Sequence, residues 1–231
     1  MAQFLILRLD GPMQAWGTHT FEDFRPASLF PTRSGLLGLF GACLGIERNE
    51  RETLNRLAES VQLTVRVDTA ALRPEADAEG EAHSPPKAAV KLADFHTVLD
   101  ARKVDGSSSK FPVVSRREYL YDAAFTVAVG QRANATIGLD RISATLLRPR
   151  YTPSLGRRSC PIARPLLDLV SPVEADDALQ ALARVSPVGG TIYAEAELPS
   201  DYPIEIRDVP IHRQKRQFGT RRVFVHKEDS R

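Results

Sequence analysis

Four arginines, a tyrosine and three prolines lie within residues 148–161, called here the basic loop. Guanidinium groups bind phosphate oxygens through paired donors, and an aromatic ring can stack on an unpaired base. The prolines stiffen the backbone, so the loop loses less entropy on binding than a flexible loop would. The basic loop therefore predicts contacts with single-stranded nucleic acid, and a solvated loop paired with carboxylates remains the alternative. The side chains of this loop that could contact phosphates or bases are Arg148, Arg150, Tyr151, Arg157 and Arg158.

A second unusual segment, residues 35–46, carries no polar side chain other than a thiol. A hydroxyl from Thr32 or Ser34 can cap the start of a helix there. At 100° per residue four glycines share one side of that helix, and each interior glycine costs about 0.8–1 kcal/mol relative to alanine. Another chain segment or a ligand must therefore approach the backbone closely. Arg33 lies beside the free N–H groups of the first turn, which predicts a phosphate site.

Other candidate side chains lie outside these two segments. Trp16, the only tryptophan, is typical of a core anchor, although its polar neighbours leave base stacking open. His19 follows in the same loop. Lys110 and Arg117 lie on a predicted hairpin, where they could contact a nucleic-acid backbone or simply keep the hairpin solvated.

The charge distribution separates basic from acidic segments, although the formal net charge is only +2. Residues 141–170 carry six arginines and one acid, while acids gather at 47–81. The two cysteines have no metal-ligand spacing, and neither a metal site nor a cofactor is predicted. No basic leader followed by a long apolar run begins the chain, so we expect a cytoplasmic protein with no membrane contact.

The coarse pattern is strand–helix–strand, repeated, and favours an α+β sandwich of the ferredoxin type. Residues 69–90 are rich in Ala, Glu and Pro and predict a flexible segment. The expected hairpin arms are 94–99 and 117–121. Strands are predicted at 4–9, 61–67, 124–129, 191–196, 204–206 and 222–225, and helices at 32–46 continuing through 47–60, at 137–147 and at 176–185.

Long motifs resemble the fifth family of CRISPR-associated proteins, in its subtype I-E branch. They lie at residues 9–17, 31–46, 119–128, 149–161, 187–190 and 216–218. The resemblance implies a single RAMP domain over 1–231, with a ferredoxin-like, RRM-like palm and a β-hairpin thumb inserted at about 91–121.

The resemblance also implies a function in antiviral defence. The chain would be a non-catalytic subunit of the Cascade surveillance complex and would hold the 5′ handle of the CRISPR RNA. Its partners would be a copy of the repeated backbone subunit and the large subunit that recognises the PAM. Carried over to this sequence, the RNA contacts fall on Trp16, His19, Arg33, Ser34, Lys110, Arg117, Tyr151, Arg157 and Arg158.

Two alternatives stay open. One is a metal-independent endoribonuclease that processes repeat RNA, as relatives in another CRISPR subtype do. It needs a base for the 2′-hydroxyl and an acid for the leaving 5′-oxygen. The candidates for these two roles are His19, His96, Lys110, Tyr119 and Tyr121. The other alternative is a scaffold whose glycine flank packs only against protein.

Overall fold

A seven-stranded antiparallel sheet runs through the computed structural model, which describes residues 1–19, 22–68, 90–103, 105–197, 202–212 and 216–228. Its strands are β1 (Ala2–Asp10), β6 (Val61–Val67), β9 (Ala124–Gln131), β10 (Val173–Ala175), β11 (Gly190–Ala194), β12 (Tyr202–His212) and β13 (Arg216–Glu228). They lie side by side in the order β10-β1-β9-β6-β11-β13-β12. The helices are α1 (Arg33–Leu44), α2 (Arg51–Ser60), α3 (Leu139–Leu147) and α4 (Ala178–Ala183). The fold is therefore a mixed α/β structure, mostly antiparallel, as expected at the level of class.

Apolar side chains of the central strands pack on both faces of this sheet. Leu5 and Leu7 of β1 belong to the core shared with α1, α2 and α3, whereas Phe4 and Ile6 pack with α4. Successive side chains of a strand point to opposite faces, so β1 is buried on both. The strict alternation predicted for 61–67 matches β6 at both ends.

Helix α1 begins as predicted, but the helix does not continue through residues 47–60. Thr32 is the N-cap, and its Oγ1 accepts a hydrogen bond from the N–H of Gly35 at 3.3 Å. Gly45 adopts φ +75°, a left-handed conformation that ends the helix. The expected continuation is wrong, because a separate helix, α2, starts only at Arg51.

A hairpin of β7 (Val90–Val98) and β8 (Val113–Tyr121) projects from the large sheet, and we call it the thumb hairpin. β8 also pairs with β2 (Met13–Gln14) at its end and with β4 (Phe24–Arg25) at its middle, while β3 (Trp16–Gly17) pairs with β5 (Ala27–Ser28). The arms are longer than the sequence predicts. The segment expected to be flexible, 69–90, lies outside the described residues apart from its last residue, which begins β7.

The end of the chain forms a second long hairpin, β12 and β13. The sequence predicts only the short strands 204–206 and 222–225, because charged residues in β12 and β13 obscure the alternation of apolar and polar side chains. Helices α3 and α4 lie inside their predicted ranges, and Asp177 caps α4. In the described parts of the chain, no helix has the length and apolarity needed to cross a membrane.

Candidate nucleic-acid interface

An open groove of about 1040 Å³ lies along α1, and we call it the helix groove. Four regions border it besides α1: residues 15–18 with 25–26, the basic loop, α2 with the residues just before it, and the adjoining ends of β12 and β13. Its lining includes Thr18, Arg25, Ser34, Gly35, Gly38, Gly41, Glu47, Arg48, Arg51, Tyr151, Thr152, Ser154, Gly156, Arg157, Pro210, Ile211, His212, Gln217 and Phe218. The groove brings together the two segments that sequence reasoning singled out.

Backbone hydrogen bonds fasten the start of the basic loop to the end of α1. The N–H of Arg150 donates to the carbonyl of Cys43 at 2.9 Å, and that of Tyr151 donates to the carbonyl of Ala42 at 3.0 Å. These carbonyls belong to the last turn of the helix, where no following turn supplies donors, and the Ala42 carbonyl also accepts the N–H of Gly45 at 3.2 Å. The basic loop therefore satisfies the helix end while presenting the half-exposed ring of Tyr151 at the groove.

The far end of the basic loop packs against the first polar loop of the chain. Leu155 is fully buried, and its carbonyl accepts the N–H of Ala15 at 3.0 Å. Gly156 has φ +89°, and a side chain there would collide with the Ala15 carbonyl oxygen. Only glycine suits both the backbone conformation and the close approach, so this loop is held at both ends.

The glycine flank of α1 is close-packed at one position and open at another. A methyl group on Gly35 would lie 2.7 Å from the buried indole of Trp16. A methyl group on Gly38 would meet nothing within 4 Å, and one on Gly41 would touch Leu54 at 3.6 Å. The flank thus leaves bare helix backbone facing the helix groove.

The expected phosphate site at the start of α1 is occupied by the protein itself. The N–H of Arg33 donates to Oδ2 of Asp208 at 2.7 Å, and Arg221 holds that carboxylate at 2.6 and 2.8 Å. The guanidinium of Arg33 is buried, ion-paired with Glu195. A direct phosphate contact by Arg33 is a wrong expectation, because its charge is compensated inside the fold.

Trp16 is fully buried, so it cannot offer a stacking surface. Its indole N–H donates to Oε1 of Gln14 at 3.0 Å, and the Gln14 amide donates to the carbonyls of Leu9 and Ala123. This is the core-anchor role weighed from the sequence. The expected contact between Trp16 and RNA is therefore corrected to an indirect role, supporting Gly35.

Arg157 and Arg158 have different environments. Arg157 donates to the carbonyls of Glu118 and Arg25, each at 2.8 Å, and lies over the ring of Tyr119 at 4.8 Å. It reaches the groove wall but also ties the basic loop to the base of the thumb hairpin. Arg158 is exposed and lies outside the groove lining.

The remaining predicted residues divide between the groove and the thumb hairpin. Ser34 lines the groove. His19 is exposed and is not part of the lining. Lys110 is exposed near the hairpin tip, and Arg117 is half-buried on β8, where it donates to the Ser115 hydroxyl at 2.9 Å.

Sequence reasoning missed the arginines and the histidine that line the groove outside the basic loop: Arg25, Arg48, Arg51 and His212. Arg48 and Arg51 lie in a stretch whose acidic composition hid them. His212 lies in an expected loop, because the length of β12 was not foreseen. Burial lowers the pKa of His212 below its ordinary value.

The candidate ribonuclease side chains do not gather in the groove. The Tyr119 hydroxyl lies 3.0 Å from Nε2 of His96, on the thumb hairpin. Tyr119 is only 2% exposed, so its hydroxyl is already committed to a protein partner. Tyr121 lies further along β8.

Comparison with known proteins places this geometry in a family. The family described as "CRISPR-associated protein (Cas_Cas5)" matches residues 4–224. The chain is 44% identical over 229 residues to "CRISPR system Cascade subunit CasD" of Escherichia coli (strain K12), covering 98% of this chain and 97% of that protein.

Two solved structures share the fold. One, "CRISPR RNA-guided surveillance complex", has a TM-score of 0.72 at 28% identity, covering 97% of this chain and 89% of that chain. Another, "Crystal structure of Cas protein", has a TM-score of 0.60 at 25% identity, covering 97% and 93%. The sequence and the fold of this chain match those of these relatives over nearly its whole length. The chain therefore belongs to the Cas5 family of CRISPR-associated proteins.

Proposed function

We propose that the chain is a non-catalytic subunit of a Cascade surveillance complex and holds the 5′ handle of the CRISPR RNA in the helix groove. One observation carries this proposal: the basic loop and the glycine flank of α1 line the same open groove. The name of the Escherichia coli relative supports the assignment to Cascade.

The groove offers the two kinds of contact that single-stranded RNA uses. Arg48 and Arg51 are exposed arginines at one side of the groove, and Tyr151 presents an aromatic ring at another. Guanidinium groups follow the phosphate backbone while rings stack on bases. The bare backbone at Gly38 lets a ribonucleotide approach α1 more closely than any side chain would allow.

The palm of this subunit is proposed to be ferredoxin-like, of the RAMP type. In chain order, β1, α1, β6, β9, α3 and β10 form a β-α-β-β-α-β unit, and its strands lie side by side in the order β10-β1-β9-β6. This is the arrangement expected of a split βαβ fold. Strands β11, β13 and β12 extend that sheet beyond β6.

The proposed partners are a backbone subunit and the large PAM-recognising subunit, in the cytoplasm and in antiviral defence. The thumb hairpin supports a protein-facing role for one part of the surface. Val90, Leu92 and Val98 of β7 are all exposed and, at a spacing of two or a multiple of two, lie on the same face of the strand. Exposed apolar side chains on one face are typical of interaction sites.

RNA binding tests the groove assignment. Fluorescence anisotropy with a labelled single-stranded RNA octamer gives the dissociation constant at several salt concentrations. Arg51→Ala should weaken binding and reduce the log–log salt slope by about 0.7, since one phosphate contact is lost. Arg141→Ala is the matched control, because Arg141 is an exposed helical arginine outside the groove. Equal salt slopes for the two variants would contradict the assignment.

The second candidate is the metal-independent endoribonuclease, for which the contact between Tyr119 and His96 is the relevant observation. We expect no cleavage when the purified chain is incubated with precursor repeat RNA and EDTA. A defined cut that disappears in Tyr119→Phe would replace our proposal with this one.

A further inference from the structure

His212 ends β12 at the wall of the helix groove, and its Nε2 atom is buried without a hydrogen-bond partner. A buried polar atom without a partner costs about 1–3 kcal/mol. A rotation of the ring that turns Nε2 toward the groove would remove this cost, because the atom could then form a hydrogen bond with a ligand.

The surroundings of His212 suit a flat ring. Pro210, Ile211 and Phe218 contribute apolar surface to the same groove. Helix α1, which packs beside β12, contributes bare backbone at Gly38. Apolar walls with one polar group between them match the faces and the edge of an unpaired base.

The protonation state of His212 favours a base over a phosphate. Burial lowers the pKa of His212 below its ordinary value, which favours the neutral imidazole. A neutral imidazole has one donor and one acceptor nitrogen, which are the groups that a base edge pairs with. It adds no charge that would hold the phosphate backbone.

We propose that His212 reads the edge of one unpaired base of the RNA held in the helix groove, after a rotation of its ring turns Nε2 toward the base. This inference rests on the proposed function and adds base preference to it. The exposed arginines then supply affinity that does not depend on sequence, and His212 supplies discrimination.

Base preference tests the inference. The probes are labelled octamers of adenosine, cytidine and uridine, with binding to the full chain measured by anisotropy at one salt concentration. Wild type should bind one octamer more tightly than the others. His212→Ala should reduce that preference about fivefold to tenfold, and should leave the salt slope unchanged because no charge is removed.

Two further variants control the experiment. His212→Gln keeps a polar nitrogen near the position of Nε2 and should retain part of the preference, so it also serves if the alanine variant does not fold. Tyr202→Ala alters an exposed residue at the other end of β12, outside the groove lining. This variant should retain the full base preference of the wild type.

The outcomes separate this inference from the proposed function. Equal weakening for all three octamers, or an unchanged preference in both His212 variants, would overturn the role of His212 alone. Failure of the wild-type chain to bind any octamer would overturn the groove assignment as well.

Discussion

Gly35 and Gly38 occupy the same flank of α1 but have different neighbours. A methyl group on Gly35 would lie 2.7 Å from the indole of Trp16, which is fully buried and cannot move aside. A methyl group on Gly38 would have no neighbour within 4 Å. The sequence shows four glycines on one side but cannot show which of them has a close neighbour.

Alanine at these two positions should therefore have opposite effects on stability. Gly35→Ala should lower the free energy of unfolding by about 1–3 kcal/mol, since the core is overpacked. Gly38→Ala should raise it by about 0.5–1 kcal/mol through helix propensity. Urea denaturation measures both values, and equal effects of the two substitutions would contradict the packing described at Trp16.

The two cysteines should be chemically inert in the folded chain. Cys43 and Cys160 are 1% and 0% exposed, and burial raises the pKa of Cys43 to about 11. At pH 8 only about one Cys43 side chain in a thousand is a thiolate, the form that reacts. A chromogenic disulfide reagent at pH 8 should react with neither thiol natively and with both in guanidinium chloride. Rapid reaction of one native thiol would contradict this burial.

Arg33 shows why the site was harder to predict than the fold. Its position beside a helix start indicates an anion there. Anionic groups are indeed present, but they are the carboxylates of Asp208 and Glu195 and not a phosphate. Both carboxylates come from more than 160 residues further along the chain. Periodicity within a segment contains no information about such distant partners.

At the level of elements, the basic loop has a structural role besides the binding role proposed for it. Arg157 links it to β8 and β4 through the carbonyls of Glu118 and Arg25. Local periodicity predicted β6 and the start of α1 well, because one alternates strictly and the other has a capping hydroxyl. It could not predict that a loop would hold two strands together.

Removing the two arginines one at a time should separate these roles. Arg157→Ala should lower the free energy of unfolding by about 2 kcal/mol, because two backbone carbonyls lose a charged donor. Arg158→Ala should change it by less than about 0.5 kcal/mol, since that side chain is exposed. Thermal denaturation of both variants checks this, and comparable losses would show that Arg157 does not have this structural role.

For the whole molecule, Glu195 joins parts of the fold that are distant in sequence. Its buried carboxylate pairs with Arg33 on α1, with Arg221 on β13 at 3.3 Å and with Arg132 at 3.2 Å. It also accepts the N–H of Leu63 on β6 at 3.1 Å. Composition indicated separate basic and acidic faces, but this carboxylate lies among arginines in the interior.

Glu195→Gln should lower the free energy of unfolding by about 3–5 kcal/mol, since it leaves the buried guanidinium of Arg33 without its counter-charge, whereas Arg221 keeps Asp208. Glu197→Gln removes an exposed carboxylate two residues away and should have almost no effect. Denaturant titration of the two variants makes the comparison. A similar small loss of stability in both variants would show that the interior tolerates an unpaired Arg33.

The carboxylate of Asp208 at the start of α1 affects what the chain needs in order to fold. With Glu195, it gives the arginines next to it an acidic partner from the same polypeptide. The charges of the interior are therefore balanced within one polypeptide, and folding of this region requires no bound nucleic acid.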